Sequence, residues 1–414
     1  MKAKVLLVAL ISGSCAILAS LSLQFGPYER LELKTLDARF RLFPRPQRAS
    51  REVVIVDADD RSLEEFSRRG VAWPWPRHDY ADLVRSLSRS GAKAIVFDGL
   101  YSEPDLFRPG RPAGSSDREF AAAMREAGNV VLSAELTSHK ILVLGDNPLV
   151  RPPNLRVTPS SHSPNAGGHA VLPLALFQKN AAMVGAMNYT QDADGTVRRQ
   201  SLYFFADAFP QVALAAYLTA RRIDHIAFLR PDLLSVGDEL IPLDARGCFR
   251  IFWYGPDTQT FRHDSFCDLV SPFRGSGSDK PSAATRAAFQ GKIVVVGVSA
   301  HGAGTSARTP YTTSYVSSSS EILATLISNL LQRDFLVRAP AAVPVAAAFL
   351  LSALICVLFL FGPGLFPVTL AALVGACAWL GLSAWLFASR GLWLDVVAPL
   401  AALGIAFASA AAMS

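Results

Sequence analysis

Residues 73–99 read WPWPRHDYADLVRSLSRSGAKAIVFDG. A proline disfavours helical geometry in the residue before it, so Trp-Pro-Trp-Pro is non-helical and a helix can start only after Pro76. From His78 to Ser90 the apolar residues recur at helical spacing. Ala92–Gly99 then runs apolar up to Asp98. Such a run suits a strand buried on both faces, which occurs where helices cover a parallel sheet.

The same alternation recurs along the chain. Glu52–Asp59, Asn129–Leu136, Ala182–Tyr189 and Lys292–Ala300 are further short β-branched runs, and Arg61–Arg69, Asp117–Ala127 and Gln211–Thr219 are helical. Strand, helix, strand at this spacing predicts βαβ units. TVRRQSLYFF, ELIPL and CFRIFWYG predict a more antiparallel portion. The expected class is therefore α/β, a mostly parallel mixed sheet flanked by helices. Long loops are expected at Gly145–Ala170, Ser271–Ala284 and Gly302–Ser317. In SSSSEILATLISNLLQRDF, Ser318 and Glu321 make a capping box, and Ile322, Leu326 and Leu330 share one face. This helix leads within a few residues to Pro340, and so is placed to carry movement toward the segment that follows.

Apolar types make up 51% of the 414 residues and charged types 18%. The excess sits at the two ends. Val5–Phe25 is uncharged and, at about 21 residues, long enough to span a bilayer; it is longer than a cleaved signal's apolar region and has no A-x-A site. Pro340–Phe361, Leu365–Ala388 and Leu392–Met413 predict three more spans joined by short connectors. The expected division is an anchor over 1–25, a main domain over 26–338 and three spans over 339–414. Lys2 and Lys4 favour a cytoplasmic N-terminus, which places the main domain outside, although Arg333, Arg338 and Arg390 would then lie on the outer side. Asp395, beside Trp393, reads as interfacial. The net charge of +6 comes from scattered arginines, so no nucleic-acid partner is expected.

The candidate site gathers at strand ends, where ligands bind in open parallel sheets. Asp57 and Asp59 end one strand, Asp98 ends another, and Glu103 follows soon after. These carboxylates could hold a ligand, hold a metal as a hydrolase would, or cap the helices that follow. Asp59 or Asp60 fits an N-cap well. Trp73 and Trp75 read as a rigid aromatic lid beside them, and Arg77 is placed to pair with a carboxylate such as Asp98. His78 reads as solvated. Gly297-Val298-Ser299-Ala300-His301 lacks the last glycine of a nucleophile elbow. No phosphate-binding glycine loop, metal spacing or cofactor motif is found. Cys248 and Cys267 could pair outside the cytoplasm, though spacing alone does not decide it.

These blocks resemble the extracellular sensory domain of the CHASE type 2 family, associated with cyclases and histidine kinases. LKTLDARFRL, VVIVDADDRSLEEF, WPWPRHDYADLVRSLSRSGAKAIVFDGLYSEPD, DREFAAAMREAGNVVL, DADGTVRRQSL, FWYGPDTQTF, GKIVVVG and SEILATLISNLL follow in the family's order and cover most of residues 30–333. GTSARTP and SSSSEILA depart from the family's pattern near the presumed output end. The resemblance implies a multi-pass protein of the bacterial inner membrane with a periplasmic or extracellular sensor. It would bind a small ligand or sense an envelope signal, with no catalytic domain of its own. Its partners would be the bilayer, a separate or missing cyclase or kinase effector in the membrane or cytoplasm, and a second copy if it dimerises. The alternatives are a metal-dependent hydrolase built on Asp57, Asp59, Asp98 and Glu103, or an envelope assembly protein that binds no ligand.

Overall fold

The computed structural model describes residues 2–22, 25–106, 112–137, 156–158, 169–204, 209–270, 281–300, 304, 306–312, 316–362 and 364–413. The chain forms two compact units, Pro44–Phe335, and Met1–Phe43 with Leu336–Ser414. The first is narrower than the expected domain over 26–338.

In Pro44–Phe335 the strands are β1 (Val53–Ala58), β2 (Ala94–Leu100), β3 (Val130–Thr137), β4 (His169–Val171), β5 (Met183–Ala186), β6 (Arg262–Ser265) and β7 (Ile293–Val298). They form one sheet in the order β6-β1-β7-β2-β3-β4, with β5 also on β3. All pairings are parallel except β3 with β4. The fold is thus mixed α/β with a mostly parallel sheet flanked by helices. Every residue of β1 is buried, as its unbroken apolar run requires.

The longer described helices of this unit are α1 (Asp60–Arg68), α2 (Arg77–Arg89), α3 (Ser115–Ala127), α4 (Val212–Arg221), α5 (Ala283–Phe289) and α6 (Ser319–Gln332). Leu83, Val84 and Leu87 of α2 and Phe120 and Met124 of α3 share one core with Val54, Val56, Ile95, Phe97 and Leu132 of the sheet. These strand positions alternate, so they mark one face. Each fully buried Leu or Phe here contributes roughly 1.5–3 kcal/mol. Helices α4 and α6 pack on the sheet and on each other. Gly185 in β5 has no room for a side chain, because the backbone of Val212 at the start of α4 rests on it.

Arg199–Ser201 pairs antiparallel with Cys248–Arg250, as the polar and aromatic alternation predicts. The turn before it is held by a buried charge network in which Arg198 bonds Asp192 and Asp194, and Arg199 bonds Asp192 and Asp244. His225–Arg230, Leu233–Val236 and Glu239–Pro242 form a meander that Arg156–Thr158 joins. Most of the expected loop Gly145–Ala170, residues 271–280 of the next, and His301 lie outside the described residues.

The apolar unit supports the expected layout of one anchor and three further spans in part. Among the described residues, two helices, Ala342–Phe361 and Leu365–Arg390, are long and apolar enough to cross a membrane. Near the N-terminus, Leu10–Leu21 and Gly26–Leu42 meet at 85° and qualify only as one bent span. The last apolar run yields a shorter helix, Val397–Ala412. At 16 residues it is about 24 Å long, against a hydrocarbon core of about 30 Å. Its start is fixed by two contacts. Leu392–Trp393 is extended and pairs with Val337–Arg338. Glu32 of the helix Gly26–Leu42 accepts the N–H groups of Val396 and Val397, as an N-cap side chain does.

Glu32 is fully buried and also takes hydrogen bonds from Arg39 and Trp393. Asp395 is buried as well, and the guanidinium of Arg338 grips both its oxygens at 2.8 and 2.7 Å while the Tyr28 hydroxyl donates to one of them.

Candidate functional site

The carboxyl ends of β1, β7, β2 and β3 open into a pocket of about 640 Å³. Its rim and walls come from segments that the strands deliver in turn. Gly99 and Leu100 end β2 and Tyr101–Glu103 follow it, Met187–Tyr189 follows β5, and Trp73, Pro74 and Arg77 arrive before and at the start of α2. Gly297 and Val298 end β7, and Ser319 brings the first turn of α6 to the wall. A pocket of this size suits a small organic ligand.

Asp98 lies in this wall at 7% exposure, and neither of its carboxylate oxygens has a hydrogen-bond partner. Burial pushes its pKa up to about 6. The nearby hydroxyls of Ser319 and Ser320 pull the value down. The approach of α6 is close because residue 297 is glycine: a side chain there would collide with Ser320.

The tryptophans separate. Trp73 is 37% exposed and lines the pocket, whereas Trp75 is buried, stacked on Phe66 at 4.0 Å and against Phe266 at 4.7 Å. Trp75 therefore anchors the lid rather than lining the pocket. The helix begins at Arg77, directly after Pro76, as the prolines require. Arg77 does not pair with Asp98. Its guanidinium lies 4.4 Å from the centre of the Tyr101 ring, and its backbone N–H donates to Asp105. A planar cation finds a ready partner in that ring face. His78 is partly buried and bonds Ser116 through its backbone N–H.

The remaining carboxylates do not converge. Asp59 caps α1 by accepting the Ser62 N–H at 2.8 Å and also takes the Ser265 hydroxyl. Asp57 bonds His263 of β6. Glu103 is exposed at the pocket rim. Among the described residues, no group of three or more His, Cys, Asp or Glu side chains is arranged to hold a metal ion.

His263 joins three elements. Its Nδ1 faces Asp57 of β1 and its Nε2 lies 2.9 Å from Glu321 of α6. Burial lowers its pKa, but the bonds to Asp57 and Glu321 outweigh burial and push it up to about 10. The capping box is consequently incomplete. Ser318 accepts the Glu321 N–H, but the Glu321 carboxylate turns to His263 and Thr258, and Asp257 takes the Ser318 N–H instead. Burial, then the charge of Glu321, raises Asp257 to about 6. This cluster escapes a reading of hydrophobic periodicity because β6 reads Arg-His-Asp-Ser, with no apolar residue. The phenylalanines on either side, Phe261 and Phe266, are the only sequence trace of a buried segment. Cys248 and Cys267 are both buried free thiols.

No curated protein and no solved structure matches the chain. The CHASE2 domain family, a family of extracellular sensory domains, matches residues 13–363. That match spans the strand-end pocket, the His263 cluster and α6, and the chain belongs to the CHASE2 family.

Proposed function

We propose that this chain is a ligand-responsive sensory module of the bacterial inner membrane, with its Pro44–Phe335 unit in the periplasm. A small molecule enters the strand-end pocket against Asp98, Arg77, Trp73 and Glu103. Occupancy biases the position of α6, and the chain continues from α6 through residues 333–341 into the apolar helix Ala342–Phe361. A separate cytoplasmic or membrane effector reads the result. The observation that carries this reading is the place of α6: its first turn forms a wall of the pocket beside a buried carboxyl without a partner. A ligand moves such an equilibrium only by its differential affinity for two states, so a wall belonging to the output helix is what coupling requires.

Two experiments test this. A metabolite library is screened by thermal shift on the full chain in lipid nanodiscs. Hits are expected to lose their shift in Gly297→Val, which forces Ser320 and α6 away from the pocket. Hits that survive Gly297→Val would place binding elsewhere. A cysteine at the exposed position 103 is expected to react with a membrane-impermeant maleimide once the outer membrane is opened. Reaction only after lysis of the inner membrane would overturn the location.

A further inference from the structure

Resting on that reading of the pocket, we infer that its ligand is a small organic molecule carrying a protonated amine, and that Asp98 takes the ammonium group. Both carboxylate oxygens of Asp98, which lines the pocket, are buried acceptors without a partner among the described residues, and the buried hydroxyl oxygen of Ser320, next to the lining residue Gly297, is another. The Ser320 oxygen and Asp98 Oδ2 lie on the same side of Gly297. An ammonium group has three N–H donors, and an unsatisfied buried acceptor is costly until a donor arrives.

The charge of the lining agrees. Among the described lining residues, Asp98, Glu103 and Glu135 stand against one basic side chain, Arg77. The Arg77 charge is already spread over the Tyr101 ring and felt by Asp117, so it leaves Asp98 uncompensated. A divalent ion would need several oxygen ligands together, and the described residues offer no such group. An amine needs one carboxylate and a few neutral acceptors. Trp73 and Tyr80 add aromatic surface to the same lining, which favours an organic cation over a hydrated inorganic one. The pKa of about 6 at Asp98, raised by burial, fits a carboxyl waiting for a counter-charge.

The test uses the full chain in nanodiscs with phenethylamine, putrescine and L-phenylalanine, each beside its N-acetylated form, read by thermal shift and titration calorimetry. At least one amine is expected to bind saturably. Acetylation, which removes the charge, should weaken it by roughly tenfold or more, and Asp98→Asn should do the same. Ser320→Ala should weaken it by a smaller factor and shows that loss of binding is not loss of folding. Preference for L-phenylalanine over phenethylamine identifies an amino acid as the source, and the reverse identifies a simple amine. If none of the amines binds, or if Asp98→Asn binds them unchanged, the inference falls. Acetylated forms that bind as tightly as their parents, and only when Tyr101 is intact, would reject the charge assignment while leaving the pocket a ligand site.

Discussion

Glu32 and Asp98 are both buried carboxylates, and their surroundings are opposite. Glu32 accepts two backbone N–H groups, an indole N–H and a guanidinium, so its lone pairs are used. Asp98 has a similar degree of burial and no hydrogen-bond partner. A buried charge that is satisfied fixes structure, and one that is not is costly to stability. The comparison separates the two units by role. The apolar unit uses Glu32, Arg39, Arg338 and Asp395 to lock helix ends, whereas the sheet unit keeps one carboxyl open toward a cavity.

The largest break in this contrast is at the satisfied site. Glu32→Ala leaves Arg39 buried without its ion pair and uncovers the first N–H groups of Val397–Ala412. It should cost about 3–5 kcal/mol, read as a collapse of thermal stability in nanodiscs.

His263→Gln comes next, at about 2–3 kcal/mol near neutral pH, because it removes the cation between Asp57 and Glu321. The pH dependence identifies the cause. Histidine titrates near 6.5 when unfolded, and His263 near 10 when folded. Its contribution is therefore complete below about pH 6.5, declines above it and is gone beyond about pH 10. The native chain and His263→Gln should converge in stability as pH rises through that window.

Asp98→Asn should act in the opposite direction and raise stability by about 1–3 kcal/mol at pH 7. Here the folded pKa of about 6 lies above the unfolded 3.8, so the native chain loses stability as pH rises from about 4 to 6. The gain from asparagine should vanish near pH 4. Urea unfolding across that range reads it, and a gain that persists at pH 4 would mean a packing effect instead. The smallest expected change is Asp59→Ala, at about 1 kcal/mol, the loss of an ordinary helix cap with no change in amine binding.

Much of the sheet was legible in the sequence. β1, β5 and β7 fall within apolar runs, and β2 and β3 overrun theirs by one residue, because strands buried on both faces are largely apolar. The prolines at 74 and 76 placed the start of α2, and the cap was narrowed to Asp59 or Asp60, of which Asp59 serves. Strand β6 was not legible, since it lies at the sheet edge and is polar, and His263 was missed with it. The Arg77–Asp98 pair failed because the Tyr101 ring competes for the guanidinium, a contact that depends on the fold and not on spacing. The role of Glu32 was hidden for the same reason: its partners are Arg39 and, from the far end of the chain, Trp393, Val396 and Val397.

The central claim is that occupancy of the Asp98 pocket is felt by α6. Hydrogen exchange across Ser319–Gln332, in the full chain in nanodiscs with and without the tightest-binding amine of the panel, tests it most directly. The account predicts slower exchange in the first turns of α6, lost in Asp98→Asn. Protection confined to the pocket rim around Trp73 and Gln191, with α6 unchanged, would contradict it.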